Sequence, residues 1–196
     1  MKLTEANAAI RSQNVTASEV GALMGEHPYT TPERIWDRLV SPLPMADDPS
    51  EVMSTGSFME GAILRLAESR LGIRARANSK TYVHKAVRLC ATPDALVLGQ
   101  PPGLVEVKMS GRPELWLSVP PHVEWQVRAQ MACTGRYTAA VCVLVGVGLR
   151  TFLLERDRML EDALLEAVDY FWRVYVVPGR RPVPAAPAEL ELRIAT

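Results

Sequence analysis

The chain has 196 residues, 48% of them hydrophobic, and its 22 basic and 22 acidic side chains give a formal net charge of zero. That size and apolar content fit one domain with a substantial core and exclude intrinsic disorder. Neutrality speaks against a broadly basic nucleic-acid-binding surface, while leaving room for a local basic channel around an acidic site. Cys90, Cys133 and Cys142 form no Cys-x-x-Cys pair. This argues against a zinc or iron–sulfur site and suits buried thiols in a reducing compartment. No stretch reaches the roughly 18 uncharged apolar residues of a membrane span. The start, Met1-Lys2-Leu3-Thr4-Glu5, is too polar for a secretory signal. The expectation is a cytoplasmic protein with no membrane segment.

Along the chain, Thr16-Ala17-Ser18-Glu19 ahead of Val20, Leu23 and Met24 reads as a short capped helix stopped near Gly25. Pro32 to Val40 is a second helix with proline in its first turn. Ser41 to Ser50, with three prolines and two adjacent aspartates, reads as a loop. Gly56 to Leu71 is the strongest early helix, with Phe58, Ile63, Leu66 and Leu71 as its apolar stripe and Gly72 as its stop. Strands are expected near Lys80–His84, Arg88–Leu98 and Leu104–Met109, then a helix over Val123–Thr134 ended by Gly135. A hairpin, Ala139–Val147 with Arg150–Glu155, turns around Gly146 and Gly148. An amphipathic helix covers about Asp157–Val176, and Pro178 opens a Pro/Ala-rich tail. This order gives an α/β domain over residues 1–177, a mixed β-sheet flanked by helices, followed by a tail over 178–196.

The chemistry concentrates in one hairpin. Ala91–Leu98 and Leu104–Met109 read as two apolar runs separated by a Gly/Pro turn. On a strand, side chains i and i+2 share a face. Leu104, Glu106 and Lys108 therefore project together, with Val105 and Val107 on the other side. Asp94 opens the partner strand, with eleven residues between it and Glu106, and can sit across from that glutamate. Two carboxylates and a lysine at one sheet end suit a hard divalent cation and an activated water.

The spacing Asp-x11-Glu-x-Lys after Pro93, behind a helix bearing Glu60, resembles the signature of the PD-(D/E)XK nuclease superfamily. Five further segments make the chain similar to the lambda-exonuclease (YqaJ-type viral recombinase) family. They are Arg11 with Ser18 in Val15–Val20; Gly25-Glu26-His27-Pro28-Tyr29 with Trp36; Gly56-Ser57-Phe58-Met59-Glu60; Thr92-Pro93-Asp94; and Gln126 to Gly135. The resemblance spans about residues 8–155. It implies a restriction-endonuclease-like fold and a metal-dependent 5′-to-3′ exonuclease on double-stranded DNA, producing single strand for phage-type recombination. By position it implies Asp94, Glu106 and the Val107 carbonyl as ligands of Mg²⁺ or Mn²⁺, with Glu60 completing the site. It implies too that Lys108 polarises the attacking water and that Gln126 lies on the helix that supports the site. Arg11, Ser18 and Thr92 align with residues that hold a terminal 5′-phosphate. It also implies a homo-oligomer, a trimeric ring, working with a single-strand annealing protein.

Two departures stand out. Arg128 occupies the place of the family's second glutamine and becomes a possible DNA contact, and Thr92 stands where the prototype has serine. Read one at a time, the residues have ordinary roles too: Asp94 as a turn residue, Glu60 as an exposed helix carboxylate, Ser18 as an N-cap, Gln126 and Gln130 as a solvated face. His27, His84 and His122 look unrelated, and the four tryptophans read as core or subunit contacts. Two other readings stay open: a structure-specific or nicking endonuclease of the same superfamily, and a non-catalytic DNA-binding or assembly protein that retains the fold.

Overall fold

The computed structural model describes residues 5–40 and 51–183, except for the side chains of 51–54 and 57. The loop expected over Ser41 to Ser50 and the tail beyond 183 lie outside them. The chain runs α1 (Glu5–Ser12), β1 (Val15–Thr16), a 3-10 turn (Ala17–Glu19), α2 (Val20–Leu23), α3 (Pro32–Val40) and α4 (Glu51–Leu71). There follow β2 (Ala75–Ala77), β3 (Tyr82–Val83), β4 (Leu89–Ala91), β5 (Ala95–Val97) and β6 (Gly103–Ser110). Then come α5 (Pro121–Thr134), β7 (Thr138–Val145), β8 (Gly148–Glu155), α6 (Arg158–Phe171) and a π-helical turn (Trp172–Val176). Among the described residues no helix is long and apolar enough to cross a membrane.

The central sheet has the order β2-β5-β6-β7-β8. Only β6 and β7 are parallel within it, so the sheet is mixed. The alternation along β6 sets its two faces. Leu104 joins Val123, Val127 and Met131 of α5, while Val105 joins Leu64 and Ala67 of α4. A smaller sheet, β1-β4-β3, pairs β1 parallel and β3 antiparallel to β4, and a third apolar cluster joins it to α2, α5 and α6. Helix α5 is thus buried on two sides, which is why its apolar residues show no single stripe. Gly135 ends it in the left-handed conformation, φ 70°, with its N–H on the Met131 carbonyl. Gly103 opens β6 where a Cβ would come within 2.6 Å of Thr138 Oγ1, so only glycine fits beside β7.

Some expectations change. The single stretch Arg88–Leu98 divides into β4 and β5, which belong to different sheets. Thr92-Pro93-Asp94 is the crossing point, where proline has no N–H to continue a ladder. The buried face of α4 is Ile63, Leu64 and Ala67, whereas Phe58 is 87% and Leu66 50% exposed. The stripe follows the i, i+1, i+4 positions that turn inward, where Leu64 and Ala67 pack with Val105 of β6, not the largest side chains. Helix α1 buries no residue and so gave no apolar signal; its Asn7 Nδ2 donates to the Ser79 carbonyl at 2.5 Å. The first tail residues lie against α3, with Arg181 forking onto Asp37 at 2.8 and 2.9 Å.

Candidate active site

Ala95 faces Val105 and Leu96 faces Leu104; one step further along this register puts Asp94 opposite Glu106. Asn78 pins the turn before β5. Its N–H donates to the Asp94 carbonyl at 2.8 Å and its Nδ2 to the Pro93 carbonyl at 2.9 Å. Asp94 Oδ2 in turn accepts the Val107 N–H at 2.7 Å.

Glu106 is only 3% exposed, a costly place for a carboxylate unless every oxygen is matched. Its Oε1 accepts from Lys108 Nζ and from Gln126 Nε2, both at 2.6 Å. Its Oε2 accepts from Gln130 Nε2 at 2.6 Å. Lys108 Nζ also donates to Gln126 Oε1 at 3.1 Å. Gln126 and Gln130 are one helical turn apart on α5, so both amides reach the same strand residue. They are not a solvated face. Gln130 joins the candidate site through Glu106, a placement that its i+4 spacing from Gln126 signalled and its polar character disguised.

Burial first, and then the neighbouring Glu106 charge, raise the Asp94 carboxyl well above its usual range; the Val107 hydrogen bond and Lys108 oppose this, and Glu60 adds to it. For Lys108 burial works to lower the ammonium, but the attraction of Glu106 prevails and its pKa rises. Its Nζ is held as a donor to Glu106 and Gln126. Among the described residues no three His, Cys, Asp or Glu side chains converge as one metal-binding group. Glu60 on α4 is felt at Asp94 through its charge without closing a three-carboxylate cage.

Topology runs the segments that carry Ser18 and Thr92 out of neighbouring strands. Thr16 pairs with Cys90 in the parallel β1–β4 ladder, and both chains leave it in the same direction, Ser18 two residues on and Thr92 two residues on. The Cys90 thiol is raised to about 11, by burial first, and feels Arg11, Glu19 and Arg38. Thr16, not Ser18, makes the capping box with Glu19. Ser18 is exposed, with Oγ 3.1 Å from Thr16 Oγ1. Thr92 Oγ1 lies 2.8 Å from Thr81 Oγ1. Arg38, unsuspected in the sequence, clamps this corner. It donates to both oxygens of Glu19 at 2.8 and 2.6 Å, to the Arg11 carbonyl at 2.6 Å and to the Asn14 carbonyl at 2.9 Å.

Arg128 faces away from this network. It donates to Glu124 Oε1 at 3.0 and 2.5 Å and borders a groove of about 740 Å³ between Leu117–Val119 and β8. His27 and His122, which look unrelated in sequence, meet with ring centroids 5.2 Å apart. Trp116 and Trp172 are buried; Trp36 and Trp125 donate to the Tyr175 carbonyl and to Glu26 Oε2.

A mixed sheet flanked by helices, with a carboxylate and a lysine along β6 and a second carboxylate where β5 begins, defines a protein of the nuclease fold. Residues 8–137 match the YqaJ-like viral recombinase domain, and the chain belongs to that family. It is similar to the alkaline exonuclease LHK-Exo from Laribacter hongkongensis, with TM-score 0.74 at 24% identity over 98% of this chain and 95% of that one. LHK-Exo in complex with dAMP gives TM-score 0.70 at 21% identity with the same coverage. A phage-related exonuclease from Haemophilus somnus 129PT gives 0.61 at 12% identity over 81% of this chain and 93% of that one. No curated protein sequence matches the chain significantly.

Proposed function

We propose that this chain is a divalent-metal-dependent exonuclease that degrades one strand of duplex DNA, 5′ to 3′, from a 5′-phosphorylated end. The observation that carries this is the Glu106–Lys108–Gln126–Gln130 network facing Asp94. It is a polar, charged assembly in an otherwise apolar strand, which structure alone does not require. The donor set fits a hard cation. Asp94 and Glu106 offer carboxylate oxygens whose mutual repulsion a cation relieves, and the Val107 carbonyl offers a third oxygen. Asp94, Glu106 and Val107 would hold Mg²⁺ or Mn²⁺, with Glu60 adding negative charge. Such a cation, when bound, neutralises the scissile phosphate and acidifies water.

The chain's own residues do the rest. Lys108 keeps a compact positive charge beside Glu106, where it orients the attacking water and stabilises the negative charge that develops. Gln126 holds Lys108 and Glu106 in register, and Gln130 fixes the second oxygen of Glu106. At the corner clamped by Arg38, Arg11 with the hydroxyls of Ser18 and Thr92 takes the terminal phosphate, whose extra charge distinguishes it from an internal diester. A ring of copies and a single-strand annealing partner complete this reading; Arg128, turned toward the groove, is a secondary DNA contact in it.

The test is a linear duplex with one 5′-phosphate and one 5′-hydroxyl end, each strand labelled at its 3′ end, digested with magnesium beside an Asp94→Ala control. Loss of the phosphorylated strand from its 5′ end, in wild type only, is expected. Cleavage of covalently closed circles would replace this reading with an endonuclease. DNA binding without hydrolysis, in magnesium and manganese alike, would replace it with a binding module.

A further inference from the structure

His122, Gln126 and Gln130 are spaced i, i+4 and i+8 on α5 and share one face of the helix. Gln130 and Gln126 meet Glu106, and Gln126 meets Lys108. His122 is next in the row, at the outer end of the site, and it feels the Lys108 charge. Against it lies the turn after α2, where Tyr29 is 66% exposed. Three rings meet edge to face there: His27 and His122 at 5.2 Å, Tyr29 and His122 at 5.9 Å, His27 and Tyr29 at 6.0 Å. The turn is built to hold this shape. His27 Nδ1 accepts the N–H groups of Tyr29 and Thr30 at 3.1 and 3.0 Å. Gly21 keeps the helix start close, since a Cβ there would lie 3.0 Å from His122 Cα. The ring group thus joins the turn after α2 to the helix row of His122, Gln126 and Gln130 that leads to Glu106.

We propose that His27, Tyr29 and His122 form a nucleobase shelf at the mouth of the site, on which Tyr29 stacks the base of the terminal nucleotide while the two imidazoles fix its ring; this rests on the nuclease reading above. Nδ1 of His27 serves as an acceptor, so that imidazole works as a neutral wall with its one N–H on Nε2. Aromatic stacking takes any base, because every base has a π-face. That tolerance suits an enzyme working along duplex DNA of any sequence.

The experiment uses the full chain in calcium, with 5′-phosphorylated duplexes that end either in 2-aminopurine or in an abasic residue. Tyr29 is exposed and its removal leaves the core intact, so Tyr29→Ala is the informative variant, with Tyr29→Trp as the conservative one. Wild type and Tyr29→Trp are expected to quench 2-aminopurine. Tyr29→Ala is expected to lose the quenching and to bind the normal end roughly ten-fold more weakly. On the abasic end wild type and Tyr29→Ala should bind equally. Unchanged quenching in Tyr29→Ala, or the same weakening on both ends, would overturn the shelf. Absence of hydrolysis by wild type in magnesium would instead overturn the nuclease reading, and the quenching would still decide the stacking.

Discussion

Replacing Gln130 by leucine removes one hydrogen bond from a buried carboxylate with little change in bulk. Gln130 is 1% exposed and its Nε2 lies 2.6 Å from Glu106 Oε2. A hydrogen bond to a charged group contributes about 1.5–3 kcal/mol. Gln130 Oε1, however, is buried and has no partner among the described residues. Leucine removes that unsatisfied acceptor as well and offsets about 1 kcal/mol of the loss. The net destabilisation is then about 0.5–2 kcal/mol, or a melting midpoint lower by roughly 1–8 °C for a protein of this size. Glu106 also loses the donor that orients its second oxygen, and such orienting groups typically change metal affinity or activity by about 10–100-fold. Differential scanning calorimetry without metal, and exonuclease rates across a magnesium titration, read both effects. An unchanged midpoint together with an unchanged magnesium dependence would show that Lys108 and Gln126 alone hold Glu106, and the network argument would fail.

Four further outcomes follow from the same geometry. Burial and Glu106 raise the Asp94 carboxyl, so the stability linked to its proton is complete below about pH 3.9 and is lost as pH rises through the higher folded value. Asp94→Asn should therefore raise the melting midpoint of the metal-free protein at neutral pH, and magnesium at about 100 times its Kd should stabilise wild type by about 2.7 kcal/mol but not this variant; equal midpoints would contradict it. Lys108→Ala should abolish turnover while a gel shift in calcium still shows DNA binding. Arg11→Ala should lose the preference for 5′-phosphorylated over 5′-hydroxyl ends, which a rate comparison on the two duplexes measures. Burial lowers His27, His84 and His122, so the stability their neutral forms allow is present above about pH 6.5 and lost as pH falls through the lower folded values. In the Asp94→Asn background, which removes the opposing carboxylate, the melting midpoint should drop between pH 7.5 and 5.5; a flat profile would count against it.

What could be read from the chain alone was local or periodic. Alternation along Leu104–Lys108 placed Glu106 and Lys108 on one face because a strand has a period of two whatever surrounds it. Gly135 and the Thr16–Glu19 box marked helix ends because capping is satisfied within a few residues. The Asp94-to-Glu106 spacing foretold the facing carboxylates, since a hairpin register depends on its own turn. Tertiary structure alone decided the rest. Whether Ile63, Leu64 and Ala67 or Phe58 and Leu66 turned inward depended on where β6 lay. The break between β4 and β5 depended on two sheets competing for one stretch of chain. Gln130 and Arg38 became site residues through partners 24 and 19 positions away, and His27 and His122 became neighbours through the packing of α2 on α5. Such contacts carry no period and no cap, because their energy depends on groups that only the folded chain brings together.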